Sequence, residues 1–328
     1  MYSQSMTEPP LITTSFSASS SADDVLVGVD LTGVRVVITG ASSGLGAETA
    51  RALTGAGADV VMAVRDEAAG RAVAAGIAAS TSRSAPQVRP LDLADRASVA
   101  RFIAAWDGPL HLLINNAGLV TGGLERTADG WEFQLATNHL GHFALTTGLR
   151  TALRDGASQS GGARVVSLSS TAHMRADVDF EDLHFQQRAY DPQIAYAQSK
   201  TANSLFSVEA TRRWSVDGIV ANTVNPGGVA TGLQRHFTAG QRAALDAAEA
   251  AGVFTYKTVG QGAATTIVAA VLPELAHTGG HYLDDCREAY TVPDDANLAD
   301  HPHGVKEWAL DPDKAARLWA VSENLVHG

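Results

Sequence analysis

Two textures alternate along the chain. Short β-branched runs that are apolar almost throughout give way to longer Ala-rich stretches, and the exchange repeats from residue 33 to about residue 283. Residues 34–39 (VRVVIT) form the first such run, bounded by glycines, and unbroken apolar character suits a strand buried on both faces. A helix is predicted over 47–56, a strand over 60–64, a helix over 67–79, a strand over 88–93 and a helix over 98–106. A strand follows over 110–115, then a long helix containing 131–149, a strand over 164–168 and a helix over 194–214. A strand over 220–224, a helix over 262–272 and a short strand over 280–283 complete the series. Regular alternation of strand and helix predicts the α/β class: a single doubly wound parallel sheet with helices on both faces.

The flanks read differently. Residues 1–27 are rich in Ser and Thr, with Glu8, Asp23 and Asp24 but no Lys or Arg, which predicts a disordered or loosely attached tail and not a secretory leader. Residues 28–328 are expected to form one domain. Two connections, 171–193 and 233–257, are longer than linkage requires and are expected to serve as lids or binding walls. Phe237 and Phe254 of the second could line an apolar pocket, while Trp131, Phe133 and Phe143 are assigned to the core or to subunit contacts. The Asp- and Pro-rich stretch after 288 ends in a predicted helix over 312–326, placed on the rim.

Composition narrows the function. Lys+Arg 24 against Asp+Glu 35 leaves a net charge of -11, and the longest basic run is Arg212-Arg213, so no nucleic-acid partner is expected. Apolar stretches stay short of the roughly 18 residues a spanning helix needs, so no membrane partner is expected and the protein is placed in the cytoplasm. The single cysteine, Cys286, excludes an intrachain disulfide and a cysteine-based zinc cluster. The close histidine pairs His139/His142, His277/His281 and His301/His303 lack a matching carboxylate set, so no metal is expected.

Chemistry concentrates where strands end. Thr39-Gly-Ala-Ser-Ser-Gly-Leu-Gly46 joins the first strand to its helix. Gly40, Gly44 and Gly46 permit a tight turn and close approach to a pyrophosphate, with Ser42, Ser43 and Leu45 between them at the helix N-terminus, where unpaired N–H groups favour an anion. At the end of the second strand, where related folds place an acid for a ribose 2′-hydroxyl, the chain has Val64 and then Arg65; a guanidinium suits a 2′-phosphate, so NADPH is expected over NADH. Tyr196 and Lys200 stand at i and i+4 on one helix face, and the ammonium is expected to lower the phenol's pKa from its usual value near ~10. With only four lysines and six tyrosines, such a pair arises in about 7% of shuffled chains. Ser170 ends the fifth strand, Asn115-Asn-Ala-Gly118 the fourth, and Asn138 falls inside a helix, where its poor propensity demands a tertiary reason.

In this order the motifs resemble those of the short-chain dehydrogenase/reductase family, a Rossmann-type fold, over residues 33 to about 283. The resemblance implies that Tyr196 is the general acid/base, that Lys200 lowers its pKa and holds the nicotinamide ribose, and that Ser170 orients the carbonyl. It implies that Asn138 holds Lys200 through a water. Asp92 and Leu93 become adenine contacts, Asn116, Ala117 and Gly118 ribose contacts, and Arg65 the 2′-phosphate reader. Pro226, Gly227, Val229 and Thr231 become the nicotinamide clamp. Thr137–Phe143 (TNHLGHF), Ser169–His173 (SSTAH) and the long C-terminal part are most similar to the retinol-dehydrogenase and WW-domain-oxidoreductase branch. No membrane anchor is expected, and the 26-residue step from Ser170 to Tyr196 is longer than in compact members. The function implied is NADP(H)-dependent interconversion of a hydrophobic ketone or aldehyde with its alcohol, in a possible homo-oligomer. The alternatives are a catalytically silent dinucleotide sensor and an epimerase or lyase that oxidises transiently.

Overall fold

The computed structural model describes residues 10–230, 243, 247, 249–250 and 255–328. Among these, eight strands make one sheet in the order β3-β2-β1-β4-β5-β6-β7-β8: β1 (Arg35–Thr39), β2 (Asp59–Val64), β3 (Gln87–Pro90), β4 (Leu112–Asn115), β5 (Ala163–Leu168), β6 (Ile219–Asn225), β7 (Tyr282–Asp284) and β8 (Arg287–Glu288). All neighbours run parallel except β8, a two-residue edge antiparallel to β7. The doubly wound sheet is therefore as the sequence predicts, with the order reversing beside β1, where β4 and β2 flank it.

One face of the sheet carries α1 (Ala22–Val25), α2 (Gly44–Gly55), α3 (Glu67–Thr81) and α9 (Val259–Val271) around a cluster that includes Ile38, Leu53, Met62 and Ile267. The other carries α4 (Arg96–Ala104), α5 (Phe133–Leu135), α6 (Gly141–Gly148), α7 (Arg150–Ser160), α8 (Pro192–Trp214) and α10 (Pro312–His327) around Leu113, Phe143, Val165 and Phe206. Trp319 of α10 packs at ring-centroid distances of 4.9 Å from Phe143, 5.8 Å from Phe206 and 5.2 Å from Trp214. A small parallel pair, β9 (Tyr290–Val292) and β10 (Gly304–Lys306), follows the main sheet.

The structure corrects one expectation and adds detail to two others. From Pro10 the N-terminal segment is not loose. The Ile12 N–H donates to the Glu288 carboxylate (2.8 Å), Thr14 donates to the Cys286 carbonyl (2.8 Å), and α1 buries Ala22 and Val25 against α9. Phe16 packs on the same core, so apolar residues scattered through a Ser-rich stretch suffice to anchor it. Residues 1–9 lie outside the described residues.

The long helix expected over 131–149 runs without a gap from Phe133 to Gly148, but its winding changes inside. A π-helical turn, Ala136–Leu140, separates α5 from α6, and Gly141 presses so closely on Leu93 that a Cβ there would lie 2.3 Å from the Leu93 carbonyl oxygen. Residues 171–193, expected to serve as a lid or binding wall, are packed against the core. A 3₁₀ turn, Thr171–Arg175, is followed by irregular chain that buries Val178, Leu183 and Phe185, and the Asp182 carboxylate accepts from the N–H groups of Gln186, Gln187 and Arg188. Of 233–257, including Phe237 and Phe254, nearly all lies outside the described residues. Of the aromatics assigned to the core, Trp131 and Phe143 are buried there, whereas Phe133 faces the cleft described next.

Candidate active site

Strands β1, β2, β4, β5, β6 and β7 all end on one edge, and there a cleft of about 650 Å³ opens, the size of an ordinary cofactor or ligand pocket. At one end is the glycine loop. Gly40 holds φ +66, and a Cβ on it would lie 2.9 Å from Ala117 Cα; a Cβ on Gly46 would lie 2.5 Å from Asn116 Nδ2. The loop can therefore take this course only with bare glycines. Ser43 is the N-cap of α2, yet its side chain bonds no helix N–H, so the first-turn donors face the cleft without a capping acceptor. Ser42, Gly44 and Leu45 complete this wall. Such a lining fits a pyrophosphate.

The Asn116–Gly118 turn is tied to the loop from the next strand. Asn116 Nδ2 donates to the Thr39 carbonyl (2.7 Å), and the Thr39 hydroxyl oxygen accepts from the N–H groups of Asn116 and Ala117 (3.0 Å each). Asp92 and Leu93 line the same end, although one Asp92 oxygen is already engaged by the Ala94 N–H (3.0 Å). Arg65 sits exposed on the rim. Its neighbours are committed elsewhere, Asp66 to the Ala69 N–H (3.0 Å) and Glu67 to Arg71 (2.9 Å), and among the described residues Arg65 makes no ion pair.

At the other end Tyr196 and Lys200 project from α8, which starts on the cap of Asp191, with Pro192 in its first turn. The two side chains are 8% and 3% exposed. Lys200 Nζ donates to the Leu168 carbonyl at 3.0 Å and lies 5.5 Å from the Tyr196 ring centroid. Burial pulls the Lys200 ammonium down to about 8. Burial also pushes the Tyr196 phenol up to about 12, a hydrogen bond with the Ser170 side chain offsetting part of the effect. The expected lowering of the phenol by Lys200 is thus not what this arrangement produces: the ammonium is bonded to a carbonyl and faces the ring, and desolvation of the phenolate dominates.

Asn138 owes its helix-interior position to the π turn. Its Oδ1 accepts from the Leu119 N–H (2.9 Å), and its Nδ2 donates to the Leu119 carbonyl (3.1 Å) and the Ser199 hydroxyl (3.0 Å). It clamps the chain just beyond Gly118, whose missing Cβ would stand 3.3 Å from Lys200 Nζ and 3.6 Å from Asn138 Oδ1. Such π turns recur at functional sites. Pro226 lines the cleft, while Gly227 and Val229 stand behind it against Lys257; Thr231 lies outside the described residues.

Three histidines sit at the site's supports. His142 bridges the Thr39 hydroxyl (2.8 Å) and the Asn138 carbonyl (2.9 Å), His139 bonds Ser322 of α10 (2.8 Å), and His173 bonds the Ser170 carbonyl (2.7 Å). Burial pushes His139 down to about 3 and the other two to about 4, so all three are neutral at pH 7. Spacing held the only signal: His142 follows Asn138 by one helical turn, and His173 follows Ser170 by three residues. Among the described residues, Asp284, Asp285 and His303 also approach one another, but they are already joined to Lys257 and Asn225 as an ion-pair and hydrogen-bond network. Among the same residues, no helix is long and apolar enough to cross a membrane.

Comparison with known proteins agrees with this geometry. The chain is 48% identical over 296 residues to a Streptomyces antibioticus protein described as "Probable oxidoreductase", covering 89% of this chain and 97% of that one. It is 38% identical to human retinol dehydrogenase 12, over 91% and 88% of the two chains. A crystal structure of an uncharacterised Mycobacterium paratuberculosis protein superposes with a TM-score of 0.70 at 34% identity, over 96% of this chain and 98% of that one. The family model for short chain dehydrogenases matches residues 34–242, so this chain is an oxidoreductase of the short-chain dehydrogenase family, on its retinol-dehydrogenase-like side.

Proposed function

We propose that the protein interconverts a hydrophobic ketone or aldehyde with the corresponding alcohol, using NADP(H) in preference to NAD(H) and Tyr196 as general acid/base. The observation that carries this reading is the meeting, in one cleft, of an anion cradle at α2 with a buried, protonated phenol bonded to Ser170. A bound dihydronicotinamide supplies the hydride that ends on the carbonyl carbon. Ser170 holds the carbonyl oxygen beside Tyr196, whose hydroxyl gives its proton to that oxygen as negative charge develops there. The Lys200 ammonium, 5.5 Å from the Tyr196 ring centroid, is the cation that faces the phenolate as it forms, and the same groups run in reverse for alcohol oxidation. A phenol held near 12 is fully protonated at pH 7, which suits the reductive direction. Lys200, held near 8, loses its charge first as the pH rises, so reduction should slow above about pH 8.

Arg65 supports the NADPH preference, since among the described residues its guanidinium makes no ion pair and it lines the same cleft as Asp92 and Leu93. The cleft lining includes Leu119, Val120 and Phe133 beside the polar Thr121, Glu125 and Thr137, and its apolar members support an apolar substrate. The test is cofactor oxidation at 340 nm, a property of the nicotinamide, with NADPH and NADH against bulky ketones, aldehydes and diketones. Faster turnover with NADPH is expected. Tight NADPH binding with no turnover of any carbonyl or alcohol would favour the sensor reading, and retained cofactor with no net redox change an epimerase or lyase.

A further inference from the structure

Ser170 stands at the start of a 3₁₀ turn whose far side is held by a segment beyond the family-matched residues. His173 is fully buried and its two ring nitrogens meet main-chain groups of opposite kind. Nδ1 faces the Ser170 carbonyl at 2.7 Å, a group that only accepts, and Nε2 faces the Lys306 N–H at 3.4 Å, a group that only donates. The proton is thereby assigned to Nδ1. The His173 carbonyl in turn accepts from Trp308 Nε1 (3.3 Å) and from the Thr201 hydroxyl (3.3 Å), one residue after Lys200. The Tyr282 hydroxyl closes the assembly 3.1 Å from His173 Nδ1, with the Ser169 side chain as its other partner, and the Ser169 hydroxyl donates to the Lys200 carbonyl at 2.9 Å. The serine turn is thus gripped between the catalytic helix and β10.

We infer that His173 is a positioning residue: with both nitrogens engaged by main chain, it transfers the placement of residues 304–308 to the Ser170 carbonyl, and so to the hydroxyl that faces Tyr196. This rests on the proposed carbonyl chemistry for its kinetic consequence but not for its geometry. The side chain is buried and does not line the cleft, so its loss should act on kcat and leave binding alone.

The test pairs His173→Phe, which keeps a ring and removes both bonds, with His173→Asn, whose amide N–H reaches the same carbonyl. In the Phe variant kcat for carbonyl reduction should fall about 10²-fold, while KM for the carbonyl and Kd for NADPH stay within about threefold. In the Asn variant at least about tenfold of the loss should return. A Phe variant within about threefold of wild-type kcat, or an Asn variant no better than Phe, overturns the inference. A second measurement needs no turnover: long-range ¹H–¹⁵N spectra of histidine-labelled full-length protein, with His173 identified by its loss in the Phe variant. The Nδ1–H tautomer should persist from about pH 8 to about pH 5.5, and an Nε2–H signal or titration in that window would overturn it. If no carbonyl is turned over and the Nδ1–H signal is present, the functional reading has failed and the placement of His173 has not.

Discussion

The glycine loop, proposed as a phosphate cradle, is written in eight consecutive residues, 39–46, whereas the Ser170 turn is held by side chains and main chain drawn from residues 173, 200, 201, 282, 306 and 308. Both regions border the same cleft, and both work by removing freedom. In the cradle the backbone itself is the device, shaped by glycines that tolerate φ > 0 and contacts a Cβ would forbid. Around Ser170 the device is tertiary, a set of hydrogen bonds across more than a hundred residues of sequence. Local devices should therefore fail locally, in cofactor binding, and assembled ones should fail through rate and stability.

Tyr196→Phe, at the junction of the two regions, should have the largest effect: a loss of about 10²–10⁴ in kcat with NADPH affinity retained, read by steady-state kinetics and cofactor fluorescence. Activity within a few-fold of wild type would remove Tyr196 from the mechanism. Trp319→Ala opens the aromatic core beneath α10 and should cost about 3–5 kcal/mol in urea unfolding, with kcat per folded molecule little changed. A kinetic loss without a stability loss would instead tie α10 directly to the chemistry.

Acid should sharpen the contrast next. His139, His142 and His173 are held at about 3, 4 and 4 in the folded chain by burial, against about 6.5 when exposed. Between these values the unfolded chain binds protons that the folded chain does not. Stability from these groups is complete above about pH 6.5 and falls with falling pH, at up to about 1.4 kcal/mol per pH unit for each histidine. Unfolding free energies at pH 7, 6 and 5 measure this, and a flat profile would mean the imidazoles are less enclosed than described.

On the cradle side, Arg65→Asp should move the NADPH-to-NADH preference by about 10- to 100-fold toward NADH, with kcat on the better cofactor little altered. Unchanged preference would assign the phosphate to another residue. Ser322→Ala, which removes the partner of His139, is the smallest expected change, about 1 kcal/mol of stability and no change in cofactor choice.

Sequence pattern was most informative where neighbours in the chain are neighbours in the site. The alternation of β and α runs, the glycine loop and the Tyr196–Lys200 pair are all short-range, set by turn geometry and periodicity. Asn138 is legible in sequence as an anomaly inside a helix, but Leu119 and Ser199 become its partners only in three dimensions. Residues 10–27 look loose by composition, yet Ile12, Phe16 and Val25 find an apolar surface supplied by α9 and the end of the sheet. The direction of the phenol's shift is not legible in sequence for the same reason: spacing supplies the nearby ammonium, while burial, which dominates, is a property of the folded chain.

The sequence by itself determined the alternation of elements, the conformational freedom of the glycine loop and the shared helix face of Tyr196 and Lys200, since each depends on local sterics and period. Tertiary structure alone decided which histidines carry weight, how Ser170 is braced by β10, and which charge states the buried phenol and ammonium adopt. Those properties depend on solvent exclusion and on donors and acceptors brought together from distant segments, and neither exists until the chain has closed around them.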